Sequence, residues 1–99
     1  MTINKIENDS KMHICLEGRL DTMTAPQLEA EIKSNIGGVT ELIIDLEDLA
    51  YISSAGLRVL LSAQKVMNKQ GNMTIRNVNQ DIMDIFEVTG FVDILNIEE

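Results

Sequence analysis

The passage from Glu41 to Gln70 constrains this chain more than any other. In it a nearly continuous apolar run gives way to an acidic tract and then to the longest amphipathic segment. Glu41-Leu42-Ile43-Ile44-Asp45-Leu46 reads as a central strand covered on both faces. The spacing then predicts an acidic loop from Asp45 to Ser54 and a helix from about Ser54 to Gln70. On that helix Arg58, Ser62, Lys65 and Lys69 make a narrow polar stripe. Leu57, Val59, Leu60, Leu61, Ala63, Val66 and Met67 fill an arc wider than the ~100° of a one-sided surface helix. The helix should therefore be deeply embedded, with its first turn open to a partner. A helix N-terminus presents unpaired N–H groups and partial positive charge, so a serine placed there either caps the helix or carries an anion such as phosphate. Ser53 and Ser54 stand at that point.

The rest of the chain supplies what such a unit packs against. Residues 2–7 make a weak first strand, Asn8-Asp9-Ser10-Lys11 a turn, and Met12, Ile14 and Leu16 alternate with His13, Cys15 and Glu17 as in a half-buried strand. The two strands should pair as a hairpin. Thr24-Ala25-Pro26-Gln27 has the form of a capping box with Pro in the first turn. Leu28, Ile32 and Ile36 share a face with Ala25, and Gly37-Gly38 ends that helix. Gly71 stops the long helix, and Met73, Ile75 and Val78 suggest a fourth strand. Asn79 caps a third helix carrying Ile82, Ile85 and Phe86 as far as Gly90, and Phe91, Ile94 and Leu95 add a final turn. The order β-β-α-β-α-β-α predicts an α/β fold, a single domain over residues 1–99 with a mixed four-stranded sheet and helices packed on it. In such sheets functional loops gather outside the carboxyl ends of the parallel strands. Asp21 and Asp45 should both lie near that end.

Composition excludes several chemistries. A formal net charge of −8 on 99 residues argues against nucleic acid and against anionic membrane surfaces, since both require basic groups. Cys15 is the sole cysteine, so no intrachain disulfide forms, and the absence of an apolar leader or membrane span predicts a cytoplasmic protein. His13, the single histidine, lies mid-strand with Cys15 on the same face, but no carboxylate near them in sequence orients a base. That pair is a poor enzyme, and no hydrolase, dinucleotide or nucleotide motif appears. Asp45, Glu47 and Asp48 lack calcium-loop spacing, so neither metal nor cofactor is expected.

Several motifs occur in order. Gly18-Arg19-Leu20-Asp21 precedes Thr24-Ala25, Asp45-Leu46 leads through Leu49 to Tyr51-Ile52, and Ser54-Ala55-Gly56-Leu57 follows, with Gly71 and Thr89-Gly90-Phe91 beyond. In these, over almost its whole length, the chain resembles the STAS-domain anti-sigma-factor antagonists of bacteria. The resemblance implies a partner-switching protein. Unphosphorylated, such a protein binds an anti-sigma factor serine kinase and frees a sigma factor. Phosphorylation of the serine at the start of the second helix ends the binding, and a serine phosphatase of the PP2C type resets it. Carried over by position, the acceptor is Ser54. Ser53 stands where many members have Asp, which leaves it a second candidate, or a plain N-cap. The implied partner surface comprises Asp21, Thr22, Asp45, Ser53, Ala55, Gly56, Leu57 and Arg58 on a protein that is monomeric when free. Two readings compete: a STAS scaffold or small-ligand module needing no phosphate, and an enzyme built on His13 and Cys15.

Overall fold

The computed structural model describes residues 1–98. Strands β1 (Thr2–Asn8) and β2 (Lys11–Leu20) form an antiparallel hairpin, and helix α1 (Ala25–Asn35) carries the chain to β3 (Glu41–Ile52). Helix α2 (Ser54–Gln70), strand β4 (Asn72–Arg76), helix α3 (Gln80–Thr89) and a 3-10 turn (Phe91–Asp93) follow, in the order the sequence predicts. The sheet runs β1-β2-β3-β4, with β2, β3 and β4 mutually parallel.

The alternation within each strand fixes which face is buried. Met12, Ile14 and Leu16 of β2, Leu42, Ile44 and Leu46 of β3, and Met73 and Ile75 of β4 join Leu28, Ile32, Leu60, Met67, Ile82 and Phe86 in one continuous core. Each such side chain contributes about 1.5–3 kcal/mol by leaving water. The opposite face of the sheet carries His13, Cys15, Ile43, Asp45, Thr74 and Arg76, all half-buried. The prediction that β3 is covered on both faces is thus corrected, because Ile43 stands among polar neighbours rather than beneath a helix.

The acidic loop is also corrected: the segment Asp45–Ile52 is strand. Alternation fails there because β3 carries two extra residues relative to β2. Glu17 pairs with Asp48 and Gly18 with Leu49, and then Arg19 pairs with Tyr51 and Leu20 with Ile52, so Glu47 and Ala50 are bulged out. Each bulge resets the inward phase. Leu46, Leu49 and Ile52 therefore all face the core at intervals of three, a spacing that a regular strand does not produce.

Near its end the chain runs along β4, where Ile97 bridges Ile75 and the Ile75 amide donates to the Asn96 carbonyl at 2.8 Å. Arg76 closes this contact with two bonds to the Glu98 carboxylate, at 3.1 and 3.2 Å.

Candidate functional site

The carboxyl ends of β2 and β3 lie side by side, with Leu20 opposite Ile52, and each turns into a helix. The Ser53 amide donates to the Leu20 carbonyl at 2.9 Å, which ties the start of α2 to the end of β2. Ser53 is the N-cap in extended geometry, and its Oγ accepts from the Gly56 amide at 3.4 Å. Ser54, the first residue of α2, is exposed. No acidic residue lies in the first turn of α2, and Arg58 is exposed four residues after Ser54, the spacing that brings two side chains together on a helix.

Gly56 and Leu57 point inward. A Cβ on Gly56 would come within 2.7 Å of Leu20 Cγ and 2.9 Å of Ile52 Cγ1, so this glycine lets the helix settle directly on the strand ends. Leu57 is buried with it. Their expected place on a partner surface is corrected accordingly: both are buried in the core.

Asp21 begins the turn into α1. Its Oδ1 accepts from the amides of Met23 at 3.0 Å and Thr24 at 3.2 Å. Partial burial pushes the Asp21 carboxyl up, but those amide bonds, the Thr24 hydroxyl and the nearby Arg19 outweigh it and hold it below the ordinary aspartate value. The capping box predicted at Thr24 does not form. Thr24 Oγ1 instead accepts from the Asp21 amide at 2.8 Å and donates to the Arg19 carbonyl at 2.7 Å, so Asp21 closes the helix start. The Arg19 guanidinium lies 4.4 Å over the Tyr51 ring at the same strand ends.

Of the residues singled out from sequence, the structure gathers Asp21, Thr22, Ser53, Ser54, Ala55 and Arg58. Thr22, Ala55 and Arg58 line an open groove of about 350 Å³ between the two helix starts. Asp45 is not among them. It sits mid-strand opposite Cys15 and Arg76, six residues before the level of Asp21 and so about 20 Å from it along the strands. The expectation that both aspartates share one end of the sheet fails, because the segment between Asp45 and Ser53 is extended strand rather than loop.

Asp45 instead joins His13 and Cys15 on the open face, a grouping that sequence reasoning missed. His13 Nε2 lies 3.8 Å from Asp45 Oδ2. Burial, and then the carboxylates of Asp45, Asp48 and Glu47, push the Cys15 thiol up, which makes it a poor nucleophile even though a carboxylate stands near. The parity of 13 and 15 was visible in the sequence; the register that sets Asp45 opposite them was not. Among the described residues no helix is long and apolar enough to cross a membrane.

Comparison with known proteins bears on this site. The STAS domain model matches residues 2–99. BtrV of Bordetella bronchiseptica, provisionally named an anti-sigma factor antagonist, is 38% identical over 96 residues, which span 95% of this chain and 81% of that protein. The anti-sigma factor antagonist SpoIIAA in its unphosphorylated form superposes with a TM-score of 0.78 at 20% identity, covering 99% of this chain and 88% of its own. SpoIIAA in the phosphorylated form, described as a Bacillus cell fate determinant, gives 0.77 at 22% identity, covering 99% and 92%.

Proposed function

The chain belongs to the STAS-domain anti-sigma factor antagonist family, and we propose that it works by partner switching, with Ser54 as the phosphorylated residue. Unmodified, it binds an anti-sigma factor serine kinase through Asp21, Thr22, Ser53, Ala55 and Arg58 around the two helix starts, and a sigma factor is freed. A kinase and a PP2C-type phosphatase then set the proportion of the two forms of a monomer in the cytoplasm.

The observation that carries this reading is the division of labour between adjacent serines. Ser53 is turned back on the helix as its cap, whereas Ser54 is exposed in a first turn that contains no carboxylate. A phosphate there adds about −1.5 to −2 charge, and the N-terminal amides hold it at a gain of roughly 0.3–1 kcal/mol. Arg58 is positioned to pair with it. The domain need not change shape. A partner seated over Ala55 and Thr22 would have to desolvate the phosphate, and each ~1.4 kcal/mol of that cost weakens binding tenfold. That SpoIIAA has been solved in both forms with one fold is in keeping with a switch of charge rather than of shape.

The test is incubation with an anti-sigma serine kinase from the same genome and ATP, read by intact mass and peptide mapping. One phosphoryl group should appear on Ser54, persist in Ser53→Ala and vanish in Ser54→Ala. Phosphorylation undiminished in Ser54→Ala would sink the assignment.

A further inference from the structure

On the open face of the sheet, away from the helix starts, three side chains of different chemistry converge. His13 and Cys15 are two residues apart on β2 and so project from the same face, and the parallel register places Asp45 of β3 directly opposite Cys15. One ligand atom from each, an imidazole nitrogen, the thiol sulfur and a carboxylate oxygen, lies within 4.8 Å of the other two. We propose that His13, Cys15 and Asp45 form a binding site for a divalent transition-metal ion of the zinc class.

The donor set selects the ion. Imidazole and thiolate together suit Zn²⁺ and its borderline neighbours, whereas Ca²⁺ and Mg²⁺ require all-oxygen shells. With bonds of about 2.0–2.3 Å in tetrahedral geometry, ligand atoms around one Zn²⁺ stand about 3.3–3.8 Å apart. His13 Nε2 and Asp45 Oδ2 are already 3.8 Å apart and no pair of the three ligand atoms is more than 4.8 Å apart, so closure asks any pair to approach by no more than about 1.5 Å. The half-exposed face leaves a fourth position for water.

Two further features point to a ligand. His13 Nε2 is shielded from solvent and has no hydrogen-bond partner, although it is aimed into the cluster. The carboxylate facing it is held by two further bonds: Asp45 Oδ1 accepts from the Glu47 amide at 2.9 Å and Oδ2 from Asn77 Nδ2 at 3.0 Å. Asn77 makes that bond from a left-handed backbone with φ 58°. Outer bonds of this kind orient metal-binding carboxylates. Glu17 and Asp48, paired with each other two residues further along β2 and three along β3, add negative charge nearby and favour a cation over an anion.

The full chain, stripped of metal, is titrated with Zn²⁺ by calorimetry and with Co²⁺ by absorption. One Zn²⁺ per chain should bind, and Co²⁺ should give a thiolate charge-transfer band with the strong visible bands of four-coordination. Cys15→Ser should abolish the charge-transfer band. His13→Gln, Cys15→Ser and Asp45→Asn should each weaken Zn²⁺ binding at least about tenfold, with unchanged circular dichroism. Zn²⁺ should also slow alkylation of Cys15 in the unaltered protein, a readout independent of how the variants fold. No binding, binding unchanged in His13→Gln or Cys15→Ser, or alkylation indifferent to Zn²⁺ would each overturn the proposal.

Discussion

Helices α1 and α2 begin at neighbouring strand ends, yet their first turns are finished differently. At α1 the chain brings its own anion: Asp21 Oδ1 accepts from two amides, and Thr24 Oγ1 bridges the Asp21 amide and the Arg19 carbonyl. At α2 a single hydroxyl, Ser53 Oγ, caps the turn through one bond of 3.4 Å, and the next residue, Ser54, faces solvent. The third helix resembles the first, with Asn79 as cap and Asp81 in its first turn. A helix start already supplied with a carboxylate repels a second anion, whereas one closed by a neutral hydroxyl can accept a phosphate. The contrast favours α2 over α1 and α3 as the place of the proposed switch.

The largest test of that contrast strikes the floor beneath α2. Leu20 is fully buried under Gly56, so Leu20→Ala should cost about 2–5 kcal/mol in denaturant unfolding. Gly56→Ala should cost roughly 1–3 kcal/mol by overpacking against Leu20 and Ile52. It should cost clearly less in the Leu20→Ala background, because the two changes share one space. Strictly additive losses would show that Gly56 is not set by that contact.

Next in size is the pair of serines. Ser53→Ala removes the cap and should lower stability by about 0.5–2 kcal/mol, whereas Ser54→Ala, at an exposed position, should stay within about 0.5 kcal/mol. The reverse order would exchange the roles assigned to the two residues.

The smallest effect distinguishes α1. The folded state holds the Asp21 carboxyl below its ordinary value, so the unfolded chain binds the proton more readily. Asp21 therefore contributes stability that is fully present above the unfolded aspartate pKa of about 3.9 and is lost as pH falls through the lower folded value. Asp21→Asn should flatten the acid limb of the stability profile below about pH 4, while Ser53→Ala leaves that limb unchanged.

Much of the fold was legible because local rules agree with the packing. Met12, Ile14 and Leu16 alternate and are buried together, Leu28, Ile32 and Ile36 share the buried face of α1, and Asn79 and Gly90 bound α3 as caps. The segment from Asp45 to Ser54 reads as a loop in sequence, although it is strand as far as Ile52, because two bulges replace alternation with a period of three, and bulges are set by pairing with β2, which no local pattern records. At the candidate site, Ser53 and Ser54 could be placed from the start of one helix. The inward packing of Gly56 depends on Leu20, 36 positions earlier, and the grouping of Asp45 with His13 and Cys15 depends on strand register. Chain-local signals therefore place the two serines at the helix start, and long-range geometry sets what surrounds them.

Under the proposed switch, charge at the start of α2 decides partner binding. Calorimetric titration of the cognate anti-sigma serine kinase with the unmodified chain and with the chain phosphorylated on Ser54 tests it most directly. Phosphorylation should weaken binding by at least about tenfold, equivalent to ~1.4 kcal/mol, while circular dichroism shows the same fold. Equal affinity of the two forms would contradict it.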